Sequence, residues 1–146
     1  MLRGNHPATI DPKGRLKIPA AFKSILDESY GPDFYITSLN GQSVRIYPMS
    51  VWKQFEVKLA ALPSMNKSKR KLLDRTNYWG QAEKMDGQGR ILIPSMLREA
   101  AEMTGEVAVM GNLNYLEVWN LQRFRDYLEK NPLTDEDEET LSNLGV

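Results

Sequence analysis

Cysteine is absent from this 146-residue chain, and histidine occurs once, at His6. The first absence excludes disulfides, a thiol nucleophile and every cysteine-containing zinc site, and the second leaves a transition metal almost nothing to bind. No metal and no cofactor are expected. Long apolar runs are missing too: nothing approaches the ~20 consecutive residues of a membrane-spanning helix. Met1-Leu2-Arg3-Gly4-Asn5 carries no signal-peptide pattern, so a cytoplasmic protein is expected. There is no phosphate-cradling glycine loop of the Walker type. Net charge is also lacking, but its zero hides an imbalance: residues 1–80 hold 13 Lys and Arg against 6 Asp and Glu, whereas residues 81–146 hold 6 against 13. A polyanion-facing half and an acidic half, or a merely solvated acidic end, fit that split equally well.

What is present is a duplication. Asp11-Pro12-Lys13-Gly14-Arg15-Leu16-Lys17-Ile18-Pro19 is answered 75 residues later by Asp86-Gly87-Gln88-Gly89-Arg90-Ile91-Leu92-Ile93-Pro94, with Asp, Gly, Arg, an aliphatic residue, Ile and Pro at matching offsets. Asp11 and Asp86 are placed to open turns by accepting backbone N–H groups, and Gly14 and Gly89 can take the positive φ of a type I turn with a following bulge. The pattern predicts a tight hairpin in each half. Beyond the first turn, Arg15 and Lys17 alternate with Leu16 and Ile18, so the cations share one strand face and the aliphatics the other. Pro19 and Pro94 then end the strands and suit the first turn of a helix.

Phe22, Ile25 and Leu26 are spaced for a helix from 20 to about 29, and in the second copy Ser95 would cap a helix buried through Met96, Leu97, Ala100, Ala101 and Met103. Two strand-like runs follow in each half, 34–37 and 43–47, then 107–110 and 115–119, with Asn40-Gly41 and Gly111-Asn112 as the separating turns. A closing helix would face inward through Trp52, Phe55, Leu59 and Leu62 in one half and Leu121, Phe124 and Leu128 in the other. The repeat is thus strand, turn, strand, helix, strand, strand, helix. Between the halves, the basic run from Lys67 to Arg75 fits a direct grip on phosphate or a linker helix with Leu72, Leu73, Thr76 and Trp79 turned inward. The linker reading is preferred because charge runs on helices are usually solvated faces. Asp135-Glu136-Asp137-Glu138-Glu139 marks an acidic, mobile tail. The organisation expected is repeat 1 over 1–62, basic linker helix over 63–80, repeat 2 over 81–130 and tail over 131–146. At this length roughly two-thirds of the unfolded surface can be buried.

The paired Asp-x-x-x-Arg motifs, each ending in aliphatic-x-Ile-Pro, resemble those of the MraZ family of bacterial regulators, within the AbrB-like swapped-hairpin superfamily. The resemblance covers nearly the whole chain. It implies an α+β fold in which tandem AbrB-like halves pair as a pseudo-dimeric double-split β-barrel with peripheral helices, and in which several chains close a homo-oligomeric ring. It implies sequence-specific binding of double-stranded promoter DNA at short tandem repeats upstream of the division and cell-wall gene cluster, with the protein on the nucleoid and no small-molecule substrate. Carried onto this sequence, Arg15 is the expected base or phosphate contact, Lys13 and Lys17 its neighbours, and Arg3 and Arg90 further candidates; Asp11, Gly14, Asp86 and Gly89 shape the turns. The second motif has Gln88 and Leu92 where the first has Lys13 and Lys17, leaving it two cations short.

Two other classes compete. An enzyme could pair the carboxylates of Asp11 and Asp86, although each faces an arginine and no nucleophile and base accompany them. A scaffold would use its aromatic-bearing strands for assembly alone, with Arg15 an ordinary surface residue. His6, beside a proline, reads as a strand-edge residue.

Overall fold

The computed structural model of the protein describes residues 1–146. Eight strands, β1 (Leu2–Thr9), β2 (Arg15–Lys17), β3 (Asp33–Thr37), β4 (Val44–Pro48), β5 (Gln81–Lys84), β6 (Arg90–Leu92), β7 (Glu106–Leu113) and β8 (Tyr115–Asn120), alternate with six helices: α1 (Ala20–Ser29), α2 (Met49–Ala60), α3 (Lys67–Tyr78), α4 (Ser95–Ala100), α5 (Leu121–Lys130) and α6 (Asp135–Asn143). The fold is α+β and its ladders are antiparallel. No helix is long and apolar enough to cross a membrane.

Six strands form one sheet in the order β1-β7-β8-β4-β3-β5, and β2 and β6 form a separate two-stranded ribbon. The sheet order reads alike from both edges: each half contributes a β3–β4 or β7–β8 hairpin, and the hairpins join at β4–β8. Each edge strand comes from the other half. Thus β1 lies on β7 from Leu2↔Leu113 to Thr9↔Glu106, and β5 lies on β3. The expected local hairpins are corrected accordingly. Both turns close, but after Ile10↔Leu16 the arms of the first separate, and Met85 of the second donates at once to the Pro32 carbonyl. Strands this short bury little alone, and pairing with the opposite half lets both aliphatic faces enter a common interior.

That interior is one cluster of 19 residues from both halves, among them Leu16, Ile18, Phe22, Leu26, Phe34, Ile36, Ile91, Ile93, Leu97, Val109 and Val118. Leu16 and Ile91 are fully buried, each contributing roughly 1.5–3 kcal/mol. His6, on β1, meets the edge of Phe22 with ring centroids 5.0 Å apart. On the sheet's other face Trp52 of α2 stacks on Tyr35 and tilts against Tyr47. Thr37 Oγ1 and Tyr35 OH donate to the Thr76 carbonyl at 2.7 and 3.0 Å, fastening the end of α3 to β3.

Several local expectations are corrected. Phe55 and Leu62 are exposed, because α2 rests on the sheet through Val51, Trp52 and Leu59 and ends at Ala60. Leu128 is exposed, and α5 buries no residue fully. Ser95 is the first helical residue; Pro94, with no acceptor in its side chain, occupies the cap, and Met96 faces solvent while Leu97 and Ala101 go in. Gly111-Asn112 is strand, and the turn falls at Leu113-Asn114, with Leu113 at φ 67°. Gly111 faces Gly4 across the ladder, where a Cβ would strike the backbone of Leu2 and Arg3, so that glycine serves close approach. On α3 Thr76 is buried and Leu72 and Leu73 are half-buried, while Trp79, the residue that caps the helix, packs half-buried against the core. The acidic segment is helical over Asp135–Asn143, held by a capping box between Thr134 and Asp137.

Candidate nucleic-acid interface

The two motif turns are built identically. The Asp11 carbonyl accepts Gly14 N–H at 2.9 Å and its own N–H donates to the Arg15 carbonyl at 3.0 Å; Asp86, Gly89 and Arg90 repeat this at 3.0 and 2.9 Å. Gly14 and Gly89 sit at φ 85° and 77°. One carboxylate oxygen of Asp11 takes the N–H groups of Lys13 and Arg15, and the other takes Arg15 Nε at 2.8 Å. Asp86 does the same for Gln88, Arg90 and Arg90 Nε, again at 2.8 Å. Each carboxylate is thus engaged as a turn former by three hydrogen bonds from its own loop. Each guanidinium is oriented through Nε alone, and its two terminal amino groups make no hydrogen bond within the protein.

Backbone N–H donation, reinforced by the guanidinium, holds the Asp11 carboxyl below the usual range against partial desolvation, and Asp86 is lowered in the same way. A lowered folded value means that the turns contribute stability above the unfolded aspartate pKa of about 3.9, and that this contribution disappears as pH falls through the folded value. Melting temperatures measured from pH 6 down to pH 2 should therefore fall more gently in an Asp11→Asn/Asp86→Asn double variant than in the parent. Asp137, lowered by its cap to Thr134, remains in both proteins. Identical acid profiles would contradict this account of the turns.

The ribbon joins the two turns. Arg15 faces Leu92, Leu16 faces Ile91 and Lys17 faces Arg90. Outside the ladder, Ile18 N–H donates to the Gly89 carbonyl and Ile93 N–H to the Gly14 carbonyl, so each turn is tied to the opposite strand. Alternation sends Leu16 and Ile91 inward and sets Arg15, Lys17, Arg90 and Leu92 on one outer face. The shortage of cations in the second motif is thereby made good: Lys17 crosses over to stand beside Arg90, and each end of the ribbon has one arginine and one lysine, Arg15 with Lys13 and Arg90 with Lys17.

Two further cations escaped the reading of the sequence. The guanidinium of Arg98 on α4 covers Gly14, and the methylenes of Lys23 on α1 cover Gly89. Arg98 Nε donates to the Ile93 carbonyl at 2.8 Å, and Lys23 pairs with Asp27. The signal was available, since 23 and 98 differ by the same 75 as the motifs. Arg3 is not brought to this group. It is exposed near the start of β1, opposite Asn112, roughly 20 Å along the strand from the first turn.

Fold and site together define a class: an internally duplicated α+β protein whose halves combine to expose one cationic two-stranded ribbon. The chain belongs to the MraZ family, matching the family described as "MraZ protein, putative antitoxin-like" over residues 1–75 and 81–144, one segment for each motif. It is 56% identical over 147 residues to the transcriptional regulator MraZ of Koribacter versatilis (strain Ellin345), across the full length of both. It is 52% identical over 146 residues to that of Acidobacterium capsulatum, again across both chains. With that of Halothermothrix orenii it shares 39% identity over 130 residues, 88% of this chain and 87% of the other.

Proposed function

We propose that this protein is a sequence-specific DNA-binding transcriptional regulator acting in the cytoplasm on the nucleoid, and that the β2–β6 ribbon enters the major groove. The observation that carries the reading is the single outer face holding Arg15, Arg90 and Lys17, with both guanidiniums oriented by aspartate and their outer edges unpaired. A two-stranded ribbon fits the major groove, and an arginine presenting two N–H groups matches the O6 and N7 acceptors of guanine. Arg15 and Arg90 read bases; Lys13 and Lys17 grip phosphates, which adds affinity without sequence information. The relatives' names, as transcriptional regulators, support the same role. The exchange of β1 and β5 supports a swapped-hairpin, pseudo-dimeric double-split barrel assembled from repeats over 1–62 and 81–130, with 63–80 as linker and 131–146 as tail.

One subunit offers few groove contacts, so useful affinity requires several subunits engaging successive short repeats, and a homo-oligomeric ring supplies that multivalency. The target is the promoter of the division and cell-wall gene cluster. Footprinting on DNA upstream of the protein's own gene should give regularly spaced protection. Lys17→Ala should weaken specific and unrelated duplexes alike and reduce the slope of log affinity against log salt by about 0.9 per lost phosphate contact. An unchanged slope would remove Lys17 from the interface.

A further inference from the structure

The outer face of the ribbon has two-fold geometry but not two-fold chemistry. The duplication matches Arg15 with Arg90, yet it sets Leu92 where a second Lys17 would stand. Leu92 is 39% exposed between Ile91 and Ile93, which are fully buried, and it lies across the ladder from Arg15. An apolar side chain at this position therefore belongs to the reading face and not to the interior. In the major groove such a group has a specific counterpart: beside the paired acceptors of guanine, only thymine among the four bases presents a methyl group.

We propose that Leu92 is a specificity-determining residue which packs on the 5-methyl group of a thymine adjacent to the guanine held by Arg15; this rests on the DNA-binding role proposed above. A consequence is polarity. A ribbon with two equivalent ends would read both directions of a duplex equally, as two-fold readers match palindromes. Here one end offers Arg15 with Leu92 and the other Arg90 with Lys17, so a single subunit has a preferred direction and suits head-to-tail repeats.

The test uses the full-length protein and the footprinted duplex, with each thymine in turn replaced by deoxyuridine, which keeps pairing and O4 and loses only the methyl. One replacement, beside a guanine, is expected to weaken wild-type binding about three- to fivefold, the worth of one buried methyl group. Leu92→Ala, at an exposed position, should melt like wild type, bind the parent duplex correspondingly more weakly and ignore that replacement. Leu92→Lys, copying Lys17, should also ignore it while binding unrelated duplex more tightly, with a salt slope steeper by about 0.9. Wild-type protein that binds the duplex but responds to no deoxyuridine, or Leu92→Ala that responds as fully as wild type, overturns the role of Leu92 and leaves DNA binding intact. Protein that binds no duplex at low salt overturns both.

Discussion

Arg15→Ala is expected to weaken specific DNA binding by about 1–3 kcal/mol for each engaged subunit, the worth of one bidentate arginine–guanine contact. With two subunits engaged the losses add, and a gel shift at wild-type working concentration should vanish, since every 1.4 kcal/mol is tenfold. Folding should survive the change. The Arg15–Asp11 pair is part-exposed, with side chains 30% and 28% accessible, and pairs of this kind contribute at most about 1 kcal/mol. The Asp11 carboxylate also keeps the backbone N–H groups of positions 13 and 15, both of which survive substitution by alanine at position 15. Oligomer size and melting should therefore stay close to wild type. Arg15→Lys separates the two uses of the side chain: it keeps the charge but loses the planar fork, so binding to unrelated duplex should persist while preference for the promoter falls. If Arg15→Ala leaves both affinity and salt dependence untouched, the ribbon is a surface feature and the scaffold reading takes its place.

Gly14→Val should instead damage the fold. At φ 85° the backbone is in the left-handed region that a β-branched residue resists. A Cβ there would also drive into the Arg98 guanidinium, which lies over the turn and is anchored to the Ile93 carbonyl. The Gly14 carbonyl accepts the Ile93 N–H, so a shift of this turn is transmitted to β6 and the second half. A loss of about 2–4 kcal/mol is expected, which for a protein of this size lowers the melting temperature by roughly 10 °C. Scanning calorimetry measures it directly, and a Gly14→Val protein with wild-type melting would refute the account of the turn. Gly87, with no neighbour within 4 Å of a Cβ and no positive φ, is the control position where alanine should be silent.

Local structure was legible where local chemistry decides it. The Asp-to-Gly spacing specified both turns, the Phe22 and Leu26 spacing specified α1, and the β3–β4 runs fell where alternation put them. What the residue pattern alone did not give, apart from the family resemblance, was which strands pair. The arms around Asp11 and Asp86 have the signature of ordinary hairpins, and nothing near Leu16 signals a partner at Ile91. The partnership arises because burying both aliphatic faces together removes more apolar surface from water than two separate hairpins could. That long-range pairing also sets Lys17 beside Arg90, a neighbour that the second motif taken alone does not supply. Gly111 misled for a different reason: a glycine that admits a crossing backbone has the same sequence signature as one that permits a turn. Lys23 and Arg98 were overlooked because each supports the opposite half's turn, although their common offset tied them to the duplication.

The edge pairing of β1 has a consequence for synthesis. Its partner runs back to Leu113, so during synthesis β1 finds its full ladder only once the chain has emerged as far as Leu113. Closing so long a loop is slow compared with forming neighbouring helices. Until then its hydrogen-bonding edge has no partner, so this ladder is among the last parts of the sheet to close.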